Sequence, residues 1–188
     1  MELTPGPNMG YLALVAARHG RAAGWATIVG ITAGLAVYML AAVIGLAEAM
    51  TRAPWLYQAL RFAGVGYLLW LAVEAWRGTP DGAPAVVSGA YGRFAWRGFV
   101  ANVLNPKAAV FYVTLLPGFT RPDEGGVAGQ ILALGAIHLA VSIAVHGAVV
   151  WLAGAARPYA AGANPWLRMV FALGLVAVAA WLAWSTRG

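Results

Sequence analysis

Five long apolar runs constrain this chain more than any other feature. They extend from Gly24 to Met50, Trp55 to Trp76, Phe94 to Phe119, Val127 to Ala153 and Pro165 to Trp184. Each is long enough to cross a bilayer, for which a helix needs about 20 apolar residues. Lipid offers the backbone no hydrogen-bond partner, so a crossing segment must satisfy its own N–H and C=O groups, as a helix does. Composition agrees. Of the 188 residues, 62% are hydrophobic and only 10% are charged, against roughly 25% charged in an average soluble domain. Too little polar surface remains to wrap a water-soluble core, and a disordered chain is excluded on the same ground. The expected fold class is an all-α membrane protein.

A sixth, shorter segment precedes these runs. Met9 to Ala17 is apolar but too short to cross, and Thr4-Pro5-Gly6-Pro7-Asn8 lies before it. It reads as the second half of a first membrane helix, a truncated span. No positively charged region precedes it, so it is not a signal peptide. The count is therefore about six transmembrane helices. Tryptophans 25, 55, 76, 96, 151, 166, 181 and 184 lie near run ends, where amphipathic rings favour the membrane interface. The net charge of +6 comes from a shortage of acids, six against twelve Lys and Arg. The basic residues are scattered at run ends and do not form a nucleic-acid patch. Cysteine is absent, which excludes disulfides, thiolate metal sites and thiol redox chemistry.

Loop charges give an orientation. Arg18 and Arg21, then Arg77, Arg93 and Arg97, then Arg157 fall in alternate loops, whereas Arg52 and Arg121 fall in the others, Arg121 beside Asp123 and Glu124. The positive-inside rule places the first set in the cytoplasm. The whole chain, 1–188, is expected to be one polytopic domain. Repeat one is 1–76, a cytoplasmic linker covers 77–93, and repeat two is 94–188. Each half has a helix broken by Pro and Asn, then two unbroken helices. Three spans per half invert the second half relative to the first, and inverted repeats with matching breaks point to a transporter site.

The breaks carry the polar residues. In Asn102-x-x-Asn105-Pro106-Lys107, Pro106 lacks an N–H and disfavours helix at Asn105. The Asn102 carbonyl, four residues back, is expected to lose its helical partner and to face a polar cavity. Lys107 is the sole lysine and lies about ten residues, or roughly 15 Å of helix, past Arg97. An ionisable group at that depth is a functional candidate. It contacts a substrate carboxylate or changes protonation; otherwise it snorkels or caps freed carbonyls. The partner break, Pro5-Gly6-Pro7-Asn8, leaves an exposed helix N-terminus that attracts anions, or a plain helix start with Asn8 as N-cap.

Other polar positions have two readings each. His138, Ser142 and His146 recur every four residues on one drifting helix face. The histidines suit proton coupling, because an ordinary imidazole titrates near neutrality. They equally suit interhelical hydrogen bonding. Gly30-x-x-x-Gly34, with Tyr38 one turn on, fits close helix packing. Glu48 and Glu74 lie near run ends, Glu74 within helical reach of Arg77. Arg61 reads as an end residue with its stem in lipid. No deep carboxylate pair supports hydrolysis, three histidines without an acid cluster make a poor metal site, and no phosphate-binding loop is present. The chain is not expected to be an enzyme or to hold a metal or cofactor.

Thr4-Pro5-Gly6-Pro7-Asn8-Met9, Gly64-x-Gly66-Tyr67-Leu68-Leu69-Trp70-Leu71, and Asn102-x-x-Asn105-Pro106-Lys107-Ala108-Ala109-Val110-Phe111 with Leu116-Pro117-x-Phe119 together resemble the LysE/RhtB family of amino-acid exporters. The resemblance spans essentially the whole chain, in order. It implies a small bacterial inner-membrane protein of about six spans that exports an amino acid or close derivative, driven by the proton gradient and without a cofactor. It also implies that Pro5, Gly6, Pro7 and Asn8, with Asn105, Pro106 and Lys107, lie at the core of the permeation path, beside Asn102. Partners are then a small-molecule substrate and the lipid bilayer, with no nucleic acid; a homo-oligomer is left open. The alternative is a non-transporting membrane assembly or regulatory subunit.

Overall fold

The computed structural model describes residues 6–44, 54–77, 89–156 and 165–185. Thr4, Pro5, Glu48, Arg52, Arg157 and most of the 77–93 linker, on which expectations above rest, lie outside them. Every regular element among the described residues is helical. In chain order these are α1 (Pro7–His19), α2 (Arg21–Val43), α3 (Pro54–Arg77), α4 (Gly89–Val103) and α5 (Pro106–Val110). A π-helical turn, Phe111–Leu115, and a 3-10 turn, Pro117–Phe119, continue α5. Another 3-10 turn, Pro122–Glu124, leads to α6 (Val127–Gly154), and α7 is Pro165–Ser185.

Length and apolar content qualify α2, α3 and α6 as full crossings. Tyr91–Val103 and Pro106–Phe119 qualify together, bent by 57° at the break between them. The apolar part of α7, Met169–Trp184, is shorter. α1 has 13 residues, about 20 Å at 1.5 Å per residue, against a hydrocarbon core of about 30 Å. Away from its His138–Ser142–His146 face α6 is apolar, and large side chains such as Ile137, Val141 and Leu152 on it are exposed, as are Phe62, Trp70 and Val73 on α3. Such a surface is stable only against lipid. Trp55, Trp76, Trp151, Trp166 and Trp184 are all exposed near helix ends, and Trp96 is exposed midway along α4.

α1 organises the interior. It packs against α2, α4, α6 and α7. Leu12 and Ala16 join one apolar cluster with Ile31, Leu35 and Tyr38 of α2 and Ala109 and Tyr112 of the α5 segment. Tyr11 and Val15 join another with Leu68 and Leu71 of α3, Phe94 of α4 and Leu175 of α7. Residues four apart share a helix face, so Leu12 and Ala16 face one cluster and the adjacent pair Tyr11 and Val15 faces the other. Gly20 alone links α1 to α2, at φ 90° and ψ 175°, with its N–H donating to the Ala16 carbonyl at 2.9 Å. That left-handed region is costly for any residue with a Cβ. α2 crosses α4 at backbone contact: a Cβ on Gly30 would collide with the Ala95 carbonyl, and one on Gly98 with the Thr27 carbonyl.

Arg61, expected as an end residue with its stem in lipid, turns its guanidinium to the end of α7. Its Nη2 donates to the Ala183 carbonyl on α7 at 2.6 Å, and its Nη1 to Gln58 Oε1 at 3.1 Å. The C-terminal turn of a helix has carbonyls without intrahelical partners, and a guanidinium from the neighbouring helix satisfies one here.

Candidate functional site

Pro106 sets the geometry of the second break. Asn105 is extended, at φ −90° and ψ 106°, and its side-chain oxygen accepts the Lys107 N–H at 3.0 Å, capping α5. The Asn102 carbonyl is not free as expected from Pro106. The chain tightens into a 3-10 turn there, and the Asn105 N–H donates to that carbonyl at 3.0 Å. Diverting the Lys107 N–H deprives the Val103 carbonyl of its helical donor. The Tyr38 hydroxyl of α2 replaces it, at 2.6 Å. The Leu104 carbonyl lies so close to Gly64 of α3 that a Cβ there would collide with it. Tyr38 and Gly64 thus accommodate a backbone that lipid would reject.

Gly6 and Pro7 set the start of α1, where a first break was expected. Gly6 is the extended N-cap and Pro7 is the first helical residue of α1, a position where the missing N–H costs nothing. Asn8 therefore lies inside the helix and is not its N-cap. Its side chain is free to reach across the molecule, and Asn8 Nδ2 donates to Asn102 Oδ1 at 2.6 Å, both side chains buried. The two breaks, 94 residues apart in sequence, meet through this bond. The other Asn102 amide atom, Nδ2, is buried without a hydrogen-bond partner among the described residues. It lies over Gly34, where a Cβ would come within 2.6 Å of it. Gly34 therefore makes room for the Asn102 amide, whereas Gly30 makes room for backbone.

A cavity opens at this junction. Gly6, Asn8 and Met9 of the first break line it with Asn102, Asn105, Lys107 and Ala108 of the second. Leu35 of α2 and His138, Ser142 and His146 of α6 complete the wall. Its free volume is about 30 Å³, room for about two waters and well below the roughly 150 Å³ of a cavity that holds benzene. The helices that bound it must separate to admit a larger molecule. Lys107 is half-buried on the wall. His138 shares a hydrogen bond of 2.9 Å between its Nδ1 and the Tyr112 hydroxyl, and the ring of Phe111 lies 4.1 Å from its own. His146 Nδ1 shares one of 3.0 Å with Ser142 Oγ. Ser142 and both histidines are buried. Hydrogen-bonded imidazoles, amides and hydroxyls line a small cavity that holds one primary amine.

The structure thus brings together Gly6, Asn8, Asn102, Asn105, Lys107, His138 and His146, with Pro7 and Pro106 shaping the backbone beside them; Pro5 lies outside the described residues. No group of His, Asp or Glu suited to a metal ion occurs among the described residues. Tyr112 was missed by sequence reasoning. A tyrosine in a membrane segment five residues past Lys107 was the available signal, since a buried phenol needs a partner. Glu74, which helical spacing put within reach of Arg77, is bound by Arg97 of α4.

Comparison with known proteins agrees with this architecture. The chain is 30% identical over 147 residues to the homoserine/homoserine lactone efflux protein of Salmonella typhimurium, covering 77% of this chain and 71% of that one. It is 34% identical over 140 residues to the leucine efflux protein of Klebsiella pneumoniae, covering 70% and 65%. With the threonine efflux protein of Escherichia coli it shares 26% over 132 residues, covering 67% and 64%. No solved structure matches it. Residues 1–186 match the family described as LysE type translocator, so the chain is a member of that family, a multi-pass membrane transport protein and not an enzyme.

Proposed function

We propose that this protein exports an amino acid or a small amino-acid derivative across the bacterial inner membrane, driven by the proton gradient. The observation that carries the reading is the Asn8–Asn102 hydrogen bond, which joins two broken helices at a cavity walled by Lys107, His138 and His146. Relatives named for homoserine, leucine and threonine efflux support the substrate class. Lys107 pairs with the substrate carboxylate, and the unpartnered Asn102 Nδ2 donates to it. His138 and His146, hydrogen-bonded to Tyr112 and Ser142, take up and release the coupled proton.

Alternating access follows from two inverted three-helix repeats, α1–α3 and α4–α7, with α4 and α5 counted as one broken helix. Exchange of the halves sends α2 to α6 and α3 to α7. The packing supports this layout: α2 against α4 has a counterpart in α6 against α1, while α2–α6 and α3–α7 pair each helix with its own equivalent. Loop arginines put the ends carrying Arg18, Arg21, Arg77 and Arg97 in the cytoplasm.

Purified protein in liposomes tests the reading. An inward-directed proton gradient should accelerate efflux of L-homoserine, L-threonine or L-leucine. Lys107→Ala should lower that rate on the order of a hundredfold, as loss of a charge-assisted contact in a water-poor site implies. Efflux at the native rate in Lys107→Ala would remove lysine from the mechanism. Efflux indifferent to the gradient would remove the proton.

A further inference from the structure

Two cavities lie along α1. At the Arg18 end, Arg18, His19, Glu74 and Arg97 line one of them, where Arg97 Nη2 donates to both oxygens of Glu74, at 2.6 and 2.7 Å. The other is the cavity at the helix breaks, and its walls are unequal. Most of its lining is polar and already engaged: Asn8 with Asn102, Ser142 with His146, and His138 with Tyr112. The apolar side chains on it are Met9, Leu35 and Ala108. Leu35 and Ala108 are buried and belong to the same apolar cluster. Met9 is half-buried, and its unbranched side chain adapts to what lies beside it. Leu35 is branched and held by close core packing, so it does not yield in the same way. Its neighbour Gly34 lies against the Asn102 amide, which fixes this turn of α2 at the break.

We infer that Leu35 is the specificity-determining residue of the break cavity: with Ala108 it forms the surface that receives the substrate side chain and limits its size. The inference deepens the export reading above and rests on it. Lys107 and Ala108 are successive residues of α5, and successive residues of a helix point about 100° apart. An amino acid that presents its carboxylate to Lys107 can direct its side chain, which diverges at the next carbon, to Ala108 and Leu35. The polar lining is a poorer place for it. An aliphatic group laid over amides and imidazoles cuts them off from water without giving them a partner, which costs free energy. The cavity must widen to admit a substrate, but a packed leucine moves with its helix and stays on the wall that α2 presents. A short aliphatic side chain is accepted there, and Leu35 turns away an aromatic ring.

Internal competition tests it. Liposomes carrying the protein are loaded with equal amounts of isotopically labelled L-threonine, L-leucine and L-phenylalanine, and the ratios that leave are read by mass spectrometry. Ratios within one sample do not depend on how much of a variant folds. Leu35→Ala should raise the phenylalanine-to-leucine ratio on the order of tenfold, the least that a missing methylene in an apolar pocket is worth. Leu35→Val should move it the same way by less, and carries the test if Leu35→Ala does not fold. Leu35→Phe should lower the leucine-to-threonine ratio by a similar factor. Unchanged ratios in Leu35→Val and Leu35→Phe, with efflux continuing, overturn the inference and leave the export reading standing. So does a shift in Ser142→Ala as large as that in Leu35→Ala, which would put the side chain against α6. Failure of the native protein to export any of the three would overturn the export reading itself, and this inference with it.

Discussion

The two cavities along α1 solve the same problem with different chemistry. The first, at the helix breaks, is lined by amides, imidazoles and a hydroxyl that hydrogen-bond one another, with Lys107 as its one always-basic side chain. The second, at the Arg18 end, holds two arginines, a histidine and a glutamate, with a short ion pair at its centre. Depth explains the difference. Charges far into a bilayer are costly, and most polar groups at the breaks are amides, imidazoles and hydroxyls bonded to neighbouring side chains. Near the interface an ion pair retains some solvent, and the cost of holding it is smaller. The exposed Arg121–Glu124 pair marks the other limit, with side chains 69% and 63% exposed and only three residues apart. Burial thus grades three kinds of polar contact, and each grade predicts a different response to substitution.

The largest stability effect is expected at the breaks. Asn102→Ala leaves the buried Asn8 amide without its acceptor, which costs about 1–3 kcal/mol. Asn8→Ala should cost a similar amount, and the double substitution about 1 kcal/mol less than the sum, because both remove one bond. Denaturant unfolding in detergent reads the cycle. Strict additivity would mean that the two breaks are not coupled through this bond. Next comes the ion pair. Glu74→Gln should cost about 1–2 kcal/mol, between the values for surface and fully buried pairs. A loss as large as that at Asn102 would erase the proposed grading. Tyr112→Phe removes one hydroxyl from His138 and should cost about 0.5–1.5 kcal/mol, with a changed His138 proton-exchange signal in solution NMR of the labelled protein. The smallest effect belongs to Glu124→Gln, below about 0.5 kcal/mol and removed by salt. A larger value there would show that exposure is a poor guide to contact strength in this fold.

Much of this was legible beforehand. The apolar runs located α2, α3, α6 and α7, because a chain in lipid has little choice but helix. Pro7 and Pro106 located the breaks, because a missing N–H acts within one turn whatever surrounds it. The four-residue spacing of His138, Ser142 and His146 placed them on one face, and they line one cavity. Errors arose where a residue had a choice of partners. Helical spacing offered only Arg77 to Glu74 and did not show Arg97, which the crossing of α3 and α4 brings to it. Pro106 implied a free carbonyl at Asn102, but a tighter turn gave it the Asn105 N–H.

The sequence by itself determined that this chain is helical, belongs in a membrane, breaks a helix at Pro106 and starts another at Pro7, because those outcomes depend on solvent and on local backbone geometry. Only the tertiary structure decided which polar groups meet. Asn8 with Asn102, Tyr112 with His138 and Glu74 with Arg97 are joined across 94, 26 and 23 residues. Such pairs are fixed by how closely helices cross, and the crossings depend on Gly30, Gly34, Gly64 and Gly98, where a missing Cβ lets backbone or side chain through. A glycine in the sequence announces that something approaches; what approaches is known only when the other helix is in place.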